Sequence, residues 1–201
     1  YTKIPLRTFG QQETDIVTIV KSITKYAVMI DDPSKIGYEL DKAFYLAEVG
    51  RKGPVWIDVP LDIQNARINQ DALEHFSPPS TCSPTPSQDD INYVIKAFKE
   101  AKRPVILVGR GIRSANAIDL LSIFLEKYPI PLTYSPSATD IYGARNMLAI
   151  GAVSSMGGTR AGNFTVQNSD LLLVLGNRLS PMVTSSEYTK FARKAKIIVV
   201  D

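Results

Sequence analysis

Two glycine-containing turns and one acidic residue have the types and spacing that can hold a nucleotide. Each comes directly after a short apolar run: Gly109-Arg110-Gly111, Gly176-Asn177-Arg178 and Asp201. Glycines let backbone N–H groups approach a phosphate, Arg178 can pair with it, and an acid such as Asp201 can accept hydrogen bonds from a ribose hydroxyl. Glycine after a buried strand is also ordinary turn chemistry, and this G-x-G lacks the third glycine of the dinucleotide fingerprint. The residues alone therefore favour a plain turn, with a nucleotide pocket as the alternative.

Nucleophilic and metal-binding side chains are scarce in this sequence. Cys82 is the one cysteine, and it lies in a Ser/Pro-rich stretch with no histidine beside it, which favours an unreactive thiol. His75 is the one histidine, so a triad or a multi-histidine metal site would have to be built around it alone. We interpret His75 as a surface residue, and we predict no residue of this sequence as a metal ligand.

The elements that must position the turns alternate from residue 90 onward. Asp90 and Ser114 are predicted to cap two helices. The apolar faces of these helices are Ile91, Val94, Ile95 and Phe98, and then Ala117, Leu120, Leu121 and Phe124. Strands are predicted at 104–108, 131–134, 171–175 and 196–200, with loops and short helices over 136–162. This alternation predicts a parallel sheet with right-handed crossovers, a Rossmann-like open α/β fold that binds ligands outside the carboxyl ends of its strands.

Residues 1–65 are predicted to form a smaller α/β fragment. A helix is predicted over 12–25, a strand over 26–30, a helix from Asp32-Pro33 to Gly50, and a strand over 55–59 buried on both faces. The second helix is predicted to bury Ile36, Leu40, Ala43, Phe44 and Ala47. Residues 77–88 contain four prolines and four serines, so we interpret 66–89 as a linker that packs little core.

Composition excludes several classes of function. The net charge of +3 is small and the basic residues are dispersed, so a nucleic-acid partner is not expected. The apolar runs are far shorter than the roughly 20 residues that span a bilayer, so no membrane partner is expected. The N-terminal residues do not have the pattern of a signal peptide, and a single cysteine fits a reducing compartment, so a cytoplasmic location is predicted.

Two stretches resemble one family. Residues 53–64 read GPVWIDVPLDIQ, which is similar to the GPVxIDxPxDxQ signature at the end of the first domain of acetolactate synthase-like thiamine-diphosphate enzymes. Residues 158–179 read GTRAGNFTVQNSDLLLVLGNRL, which resembles the central domain of that family, and resembles its polysaccharide-cluster members most. The resemblance implies that residues 1–65 are the C-terminal part of the pyrimidine-binding domain and that 90–201 are the central, Rossmann-like domain, which continues beyond residue 201.

The resemblance also implies cofactors and site residues. The parent enzyme would use thiamine diphosphate and Mg²⁺, with its activating glutamate before residue 1 and its GDG metal motif after residue 201. Gln12 matches an active-site glutamine of the family. Positions that contact the flavin nucleotide in FAD-binding members are matched by Gly109, Gly111, Arg178 and Asp201. Ser180-Pro181 stand where those members have an acidic pair. Some members of the family bind no flavin or bind an ADP-type nucleotide instead, so the resemblance allows FAD or an ADP-type nucleotide here.

Three functions are compatible with these observations. The first is condensation or decarboxylation of 2-oxo acids by an acetolactate synthase-like homodimer or homotetramer, in which this chain alone is inactive. The second is a thiamine-diphosphate decarboxylase or transferase with another substrate, such as one in a polysaccharide pathway. It is suggested by Leu61 in place of a family lysine and by Gln11 in place of an aromatic residue. The third is a nucleotide-binding module without catalysis.

Overall fold

The structure is a computed structural model that describes residues 14–80, 85–143 and 145–201. The chain divides into two compact units, Tyr1–Pro84 and Thr85–Asp201. Of the residues discussed above, Gln11, Gln12 and Cys82 lie outside the described ranges.

The first unit contains a two-stranded parallel sheet. Strands β1 (Tyr26–Met29) and β2 (Val55–Asp58) pair with Tyr26 opposite Val55. Helices α1 (Ile16–Val20) and α2 (Ile36–Glu48) pack on both strands, and the short helix α3 (Leu61–Gln64) follows β2 directly. The prediction that β2 is buried on both faces is wrong in this unit, because a two-stranded sheet leaves Trp56 40% exposed.

The helices of the first unit differ from the predicted ones in length and in the residues that they bury. Of the predicted helix over 12–25, the structure describes residues 14–25, and α1 covers five of them; Ile19 and Ile23 are exposed. Asp32 caps a 3-10 turn, Pro33–Lys35, which leads into α2, and Gly50 just after α2 has the left-handed φ of +60° expected of a helix end. On α2, Ala43 is buried as predicted, whereas Phe44 is 72% exposed.

A segment within the predicted linker packs on α2 instead. The ring of Phe76 lies 5.6 Å from that of Tyr38 and 5.5 Å from that of Tyr45, measured between centroids. Nδ1 of His75 lies 2.7 Å from Oδ2 of Asp41, although both side chains are largely exposed. Residues 73–76 thus cover one side of α2, and this side is not the apolar face that was predicted from the sequence.

The second unit is an open, all-parallel sheet of five strands, as predicted for a Rossmann-like fold. The strands are β3 (Pro104–Val108), β4 (Leu132–Tyr134), β5 (Ala149–Ala152), β6 (Leu171–Leu175) and β7 (Lys196–Val200). Their spatial order is β5-β4-β3-β6-β7, and every pair is parallel. The helices are α4 (Gln88–Glu100), α5 (Gly111–Ser114), α6 (Ile118–Lys127), α7 (Arg160–Asn168) and α8 (Pro181–Thr184).

The two central strands of the second unit are buried on both faces. Val105 and Leu107 of β3 face a core cluster that includes Val166 of α7, whereas Ile106 faces a second cluster that includes Leu121 of α6. Strands covered by helices on both sides need apolar residues at every position, which accounts for the uninterrupted runs that marked β3 and β6 in the sequence. Side chains of α4 and α6 therefore pack on the same side of this sheet.

Several local predictions for the second unit are corrected by the structure. The stretch 136–162 was predicted as loops with short helices, but it contains the edge strand β5 and the beginning of α7. Ser87, not Asp90, is the N-cap of α4, and Asp90 completes a capping box with it. Ser114 ends α5 and caps nothing, because α6 begins after Ala117 without a side-chain cap.

Candidate functional site

The carboxyl ends of β3 and β6 meet at the centre of the five-stranded sheet. The chain runs from β3 outward to β4 and β5 on one side, and from β6 outward to β7 on the other. The loops after β3 and β6 therefore diverge at a topological switch point, which is the place where open α/β sheets bind their ligands. The structure brings Gly109-Arg110-Gly111 and Gly176-Asn177-Arg178 together here.

The glycines of the two loops are packed backbone against backbone. An added Cβ on Gly109 would lie 2.2 Å from the carbonyl oxygen of Gly176, and one on Gly111 would lie 2.5 Å from Gly176 Cα. Gly176 has a left-handed φ of +58°, and its added Cβ would lie 2.6 Å from the N of Ile112. No side chain fits at these positions without moving backbone, so the two loops form a single closely packed floor.

The N–H groups of these glycines are already used within the protein. Gly109 N–H donates to the carbonyl of Leu175 at 2.9 Å, and Gly111 N–H donates to Gly176 at 2.9 Å. Gly176 N–H in turn donates to Val200 at 2.8 Å. The glycines therefore join β3, β6 and β7 at their carboxyl ends, and their role in the fold is close approach between loops.

Charged side chains and two further N–H groups surround this floor. The backbone N–H groups of Arg110 and Asn177 donate in none of the backbone hydrogen bonds of the described residues. The side chains of Arg110 and Arg178 are exposed, and Asn177 is buried with its Oδ1 accepting from Leu179 N–H at 2.9 Å. Two guanidinium groups beside unbonded N–H groups are suited to an anion such as a diphosphate.

Asp201 follows β7 at the same edge of the sheet. Val200 pairs with Leu175, and Asp201 is the next residue, so its exposed carboxylate belongs to the loop region beside Gly176. Four of the five predicted site residues, Gly109, Gly111, Arg178 and Asp201, thus share one edge. The fifth, Gln12, lies outside the described residues.

In the first unit, Leu61 occupies the corresponding edge of the smaller sheet. It is the first residue of α3, directly after Pro60, and its side chain is 74% exposed. Gln64 fixes this turn, because its Nε2 donates to the carbonyl of Val59 at 2.7 Å. The turn therefore presents an apolar side chain at the carboxyl end of β2.

A group of interacting ionisable side chains in the first unit lies at the opposite edge of that sheet. Tyr26, the first residue of β1, donates its hydroxyl to Oε2 of Glu39 at 2.5 Å, and Lys42 Nζ lies 4.6 Å from the Tyr26 ring centroid. Burial raises the pKa of Tyr26, and the bond to Glu39 raises it further. Because the amino ends of parallel strands are not the ligand-binding edge, this group is best explained as a contact between α2 and β1.

A cavity of about 220 Å³ lies beside α7 and was not found from the sequence. Its polar lining includes Ser154, Ser155, Asn163, Gln167, Thr184 and Lys190. Most of these groups are bonded to its own walls: Asn163 Nδ2 donates to Ser154 O at 3.1 Å, and Gln167 Nε2 donates to Lys190 O at 2.9 Å. Among the residues that the structure describes, Oε1 of Gln167 is the only buried side-chain nitrogen or oxygen atom without a hydrogen-bond partner. The lining therefore holds its own loops in place.

The part of the chain that the structure describes contains neither a metal-binding cluster nor a membrane-spanning helix. Residues 14–80, 85–143 and 145–201 contain no group of three or more histidine, cysteine, aspartate or glutamate side chains suited to a metal ion. Within the same ranges, every helix is too short or too polar to cross a bilayer.

Comparison with known proteins points to one group of enzymes. Residues 91–201 match the sequence model described as thiamine pyrophosphate enzyme, central domain. The chain is 37% identical over 202 aligned residues to the acetolactate synthase large subunit of Corynebacterium glutamicum, covering 98% of this chain and 31% of that protein. It is 34% identical to the chloroplastic acetolactate synthase of Arabidopsis thaliana, covering 99% of this chain and 30% of that protein. The chain thus spans about three tenths of the length of these curated relatives.

Proposed function

The chain belongs to the thiamine pyrophosphate enzymes, and from that membership we propose that its parent protein is an acetolactate synthase-like enzyme that condenses or decarboxylates 2-oxo acids. In this proposal residues 1–65 are the end of the pyrimidine-binding domain, 66–89 a linker and 90–201 the central domain. The observation that carries the proposal is the glycine floor at the switch point of a five-stranded parallel sheet, in a chain similar to acetolactate synthases over nearly all of its length. The assembly would be a cytoplasmic homodimer or homotetramer.

The residues of the central sheet fit a nucleotide diphosphate, either FAD or an ADP-type nucleotide. The glycine floor lets a ligand approach backbone, while Arg110 and Arg178 supply positive charge and the N–H groups of Arg110 and Asn177 supply donors. We propose that the diphosphate binds to these groups and that Asp201 accepts hydrogen bonds from a ribose hydroxyl. Gly109 and Gly111 contribute by shaping the floor, because their own N–H groups are bonded within the protein.

Thiamine diphosphate with Mg²⁺ would supply the carbanion chemistry of the complete enzyme, with binding, orientation and electrostatics left to the protein. No residue of this chain is proposed as a metal ligand. Gln12 is proposed to face the substrate and cofactor pocket. The chain by itself is expected to be inactive.

The test of the proposal is turnover by the complete protein. We expect loss of pyruvate, with formation of acetolactate, that requires added thiamine diphosphate and Mg²⁺. Calorimetry with FAD, ADP and NAD would identify the nucleotide, and an Arg178→Met variant is expected to weaken its binding. Nucleotide binding without turnover of any 2-oxo acid would contradict the enzymatic assignment and favour a non-catalytic nucleotide-binding module.

The exposed Leu61 favours a second candidate, a decarboxylase or transferase of the same cofactor class with another substrate, such as one in a polysaccharide pathway. Leu61 is exposed at the start of α3, where it presents no charge to a carboxylate. An ammonium at this position would attract the carboxylate of a 2-oxo acid. We expect Leu61→Lys to increase acetolactate formation, with Leu61→Met as the apolar control. Acetolactate formation by the wild-type protein at the rate of an ordinary acetolactate synthase would count against this candidate.

A further inference from the structure

The segment after β6 reaches back to the loop after β5. β3 and β4 lie between those two strands, so the chain crosses about 14 Å, three strand spacings, before it arrives there. The carbonyl oxygen of Met182 makes the contact, because it accepts from Ser155 N–H at 2.7 Å and from the Ser155 hydroxyl at 3.0 Å. Residues 179–185 thus form a strap that is fastened across the carboxyl ends of β3 and β4.

The strap has one buried anchor and one exposed fastening. Val183 is the anchor, because it is buried in the core cluster that contains Val166 of α7. Ser155 is the fastening, and it is exposed, so its substitution leaves the core unchanged. Among the described residues, the Ser155 hydroxyl donates only to carbonyl oxygens of the strap, those of Pro181 at 3.2 Å and of Met182.

Both ends of the strap have backbone conformations that are unfavourable for their residues. Ser185 has φ +71° and ψ 173°, a region essentially restricted to glycine, and Leu179 has a left-handed φ of +50°. Such conformations persist only where the surrounding contacts impose them. The fastened position is therefore strained, and it depends on the contacts that hold the strap to the β5 loop.

The strap begins beside a residue of the proposed nucleotide site. Leu179 follows Arg178 directly, and its N–H donates to Oδ1 of the buried Asn177 at 2.9 Å. A movement of the strap at Leu179 therefore moves the guanidinium that is proposed to bind the diphosphate, together with the turn that carries the Asn177 N–H. A ligand held by these groups favours the fastened strap, and by linkage the fastened strap favours the ligand.

We propose that Ser155 is a positioning residue for the nucleotide: its hydroxyl holds the strap, and the strap holds Arg178 at the diphosphate. This inference rests on the nucleotide site proposed above and adds to it a residue that acts through another. Opening of the strap is then a step in nucleotide release. As long as the open form is rare, a weaker fastening raises the open fraction and the dissociation rate by the same factor.

The test measures the rates at which FAD and a fluorescent ADP analogue dissociate from the complete protein. Ser155→Ala removes the fastening hydroxyl, and we expect the rate to rise about fivefold, which corresponds to about 1 kcal/mol, the usual contribution of one hydrogen bond. Ser155→Thr keeps a hydroxyl and should show the wild-type rate. Ser122→Ala is the matched control, since it removes a hydroxyl that donates to the Ile118 carbonyl on α6, and it should leave the rate unchanged.

Two further measurements separate positioning from a general loss of stability. Ser185→Gly relieves the unfavourable conformation in the fastened strap, so release should become slower, opposite in direction to the effect of Ser155→Ala. Hydrogen exchange without nucleotide should become faster over residues 179–185 in Ser155→Ala, while exchange over β3 stays at the wild-type rate.

The outcomes distinguish the role of Ser155 from the nucleotide site on which it rests. Equal dissociation rates for the wild type and Ser155→Ala would overturn that role and leave the site standing. Faster release from Ser185→Gly, or exchange that rises equally over β3, would also overturn it. If neither FAD nor the ADP analogue binds to the wild-type protein, the nucleotide site itself is refuted, and the role of Ser155 with it.

Discussion

Substitution of Gly176 by alanine tests whether the floor of the crevice is a backbone contact. An alanine there faces two costs: its left-handed φ of +58°, and a Cβ only 2.6–2.7 Å from backbone atoms of Gly111 and Ile112. Gly157 isolates the first cost, because it has a left-handed φ of +82° with nothing within 4 Å of its added Cβ. Gly109 isolates the second, because it is crowded to 2.2 Å while its φ is not left-handed.

The expected magnitudes follow from these three positions. Gly157→Ala should lower the free energy of unfolding by about 1 kcal/mol, the cost of a left-handed conformation for a residue with a Cβ. Gly109→Ala should lower it by about 2–3 kcal/mol, because the nearest atoms are backbone or the Asn177 Cβ bonded to it, and these cannot move aside cheaply. Gly176→Ala combines both terms, so a loss of about 3–4 kcal/mol is expected, or a fall of more than 10 °C in melting temperature.

Urea unfolding followed by circular dichroism would measure these differences, at constant slope so that only the midpoint is compared. Trp56, the single tryptophan, reports separately on the first unit by its fluorescence. If Gly176→Ala and Gly157→Ala differ by less than about 0.5 kcal/mol, a value within ordinary surface effects, the loops can separate without cost and the argument from backbone contact fails.

Three further variants test local features. Thr159→Ala removes the N-cap hydrogen bond from Gly162 N–H. It should lower the free energy of unfolding by about 1 kcal/mol, measured by urea unfolding, with Thr159→Ser as the control that retains the bond. In Asp170, burial acts to raise the pKa, but hydrogen bonds from backbone N–H groups, that of Arg103 among them, lower it overall below its ordinary value of 3.8. Its contribution to stability is therefore present above about pH 3.8 and is lost as the pH falls through the lower folded pKa. Asp170→Asn should remove that dependence, and identical acid profiles of melting temperature would contradict this. Phe76→Ala should cost about 2 kcal/mol, because it loses two aromatic contacts, and Trp56 fluorescence during unfolding would measure it.

Strands of the second unit were predictable where burial leaves a strong pattern. β3 and β6 lie at the centre of the sheet and show uninterrupted apolar runs ended by glycine. β5 lies at an edge, has four residues and contains Gly151, so neither its length nor its composition separates it from a loop. The fold class follows from the central strands, which is why it was predicted correctly although one strand was missed.

The core face of α6 could not be decided from hydropathy. Leu120, Leu121, Phe124 and Leu125 are all apolar, and the prediction placed the first three in the core. The structure buries Leu121 as predicted, but it buries Leu125 in place of Leu120 and Phe124. A helix with two apolar sides gives no internal signal for which side meets the sheet. The structure shows which side meets the sheet and leaves the apolar residues on the other side exposed.

The candidate site was predictable in position but not in the way its glycines act. Glycine after each of two strands was visible in the sequence, and the sheet places both turns at one edge. That Gly109 and Gly111 press against Gly176 depends on β3 and β6 being neighbours, although more than 60 residues separate them in the chain. Long-range pairing of this kind leaves no local trace.

The loops after β3 and β6 meet mainly through backbone, with Asn177 Cβ as the side-chain atom close to Gly109, so the two loops are expected to move together as one rigid unit. Selectivity for a bound molecule must then reside in groups around the perimeter, such as Arg110 and Arg178, that do not support this unit. In the proposed nucleotide site, exchanging those perimeter groups is therefore expected to change which nucleotide binds, while the sheet beneath keeps its fold.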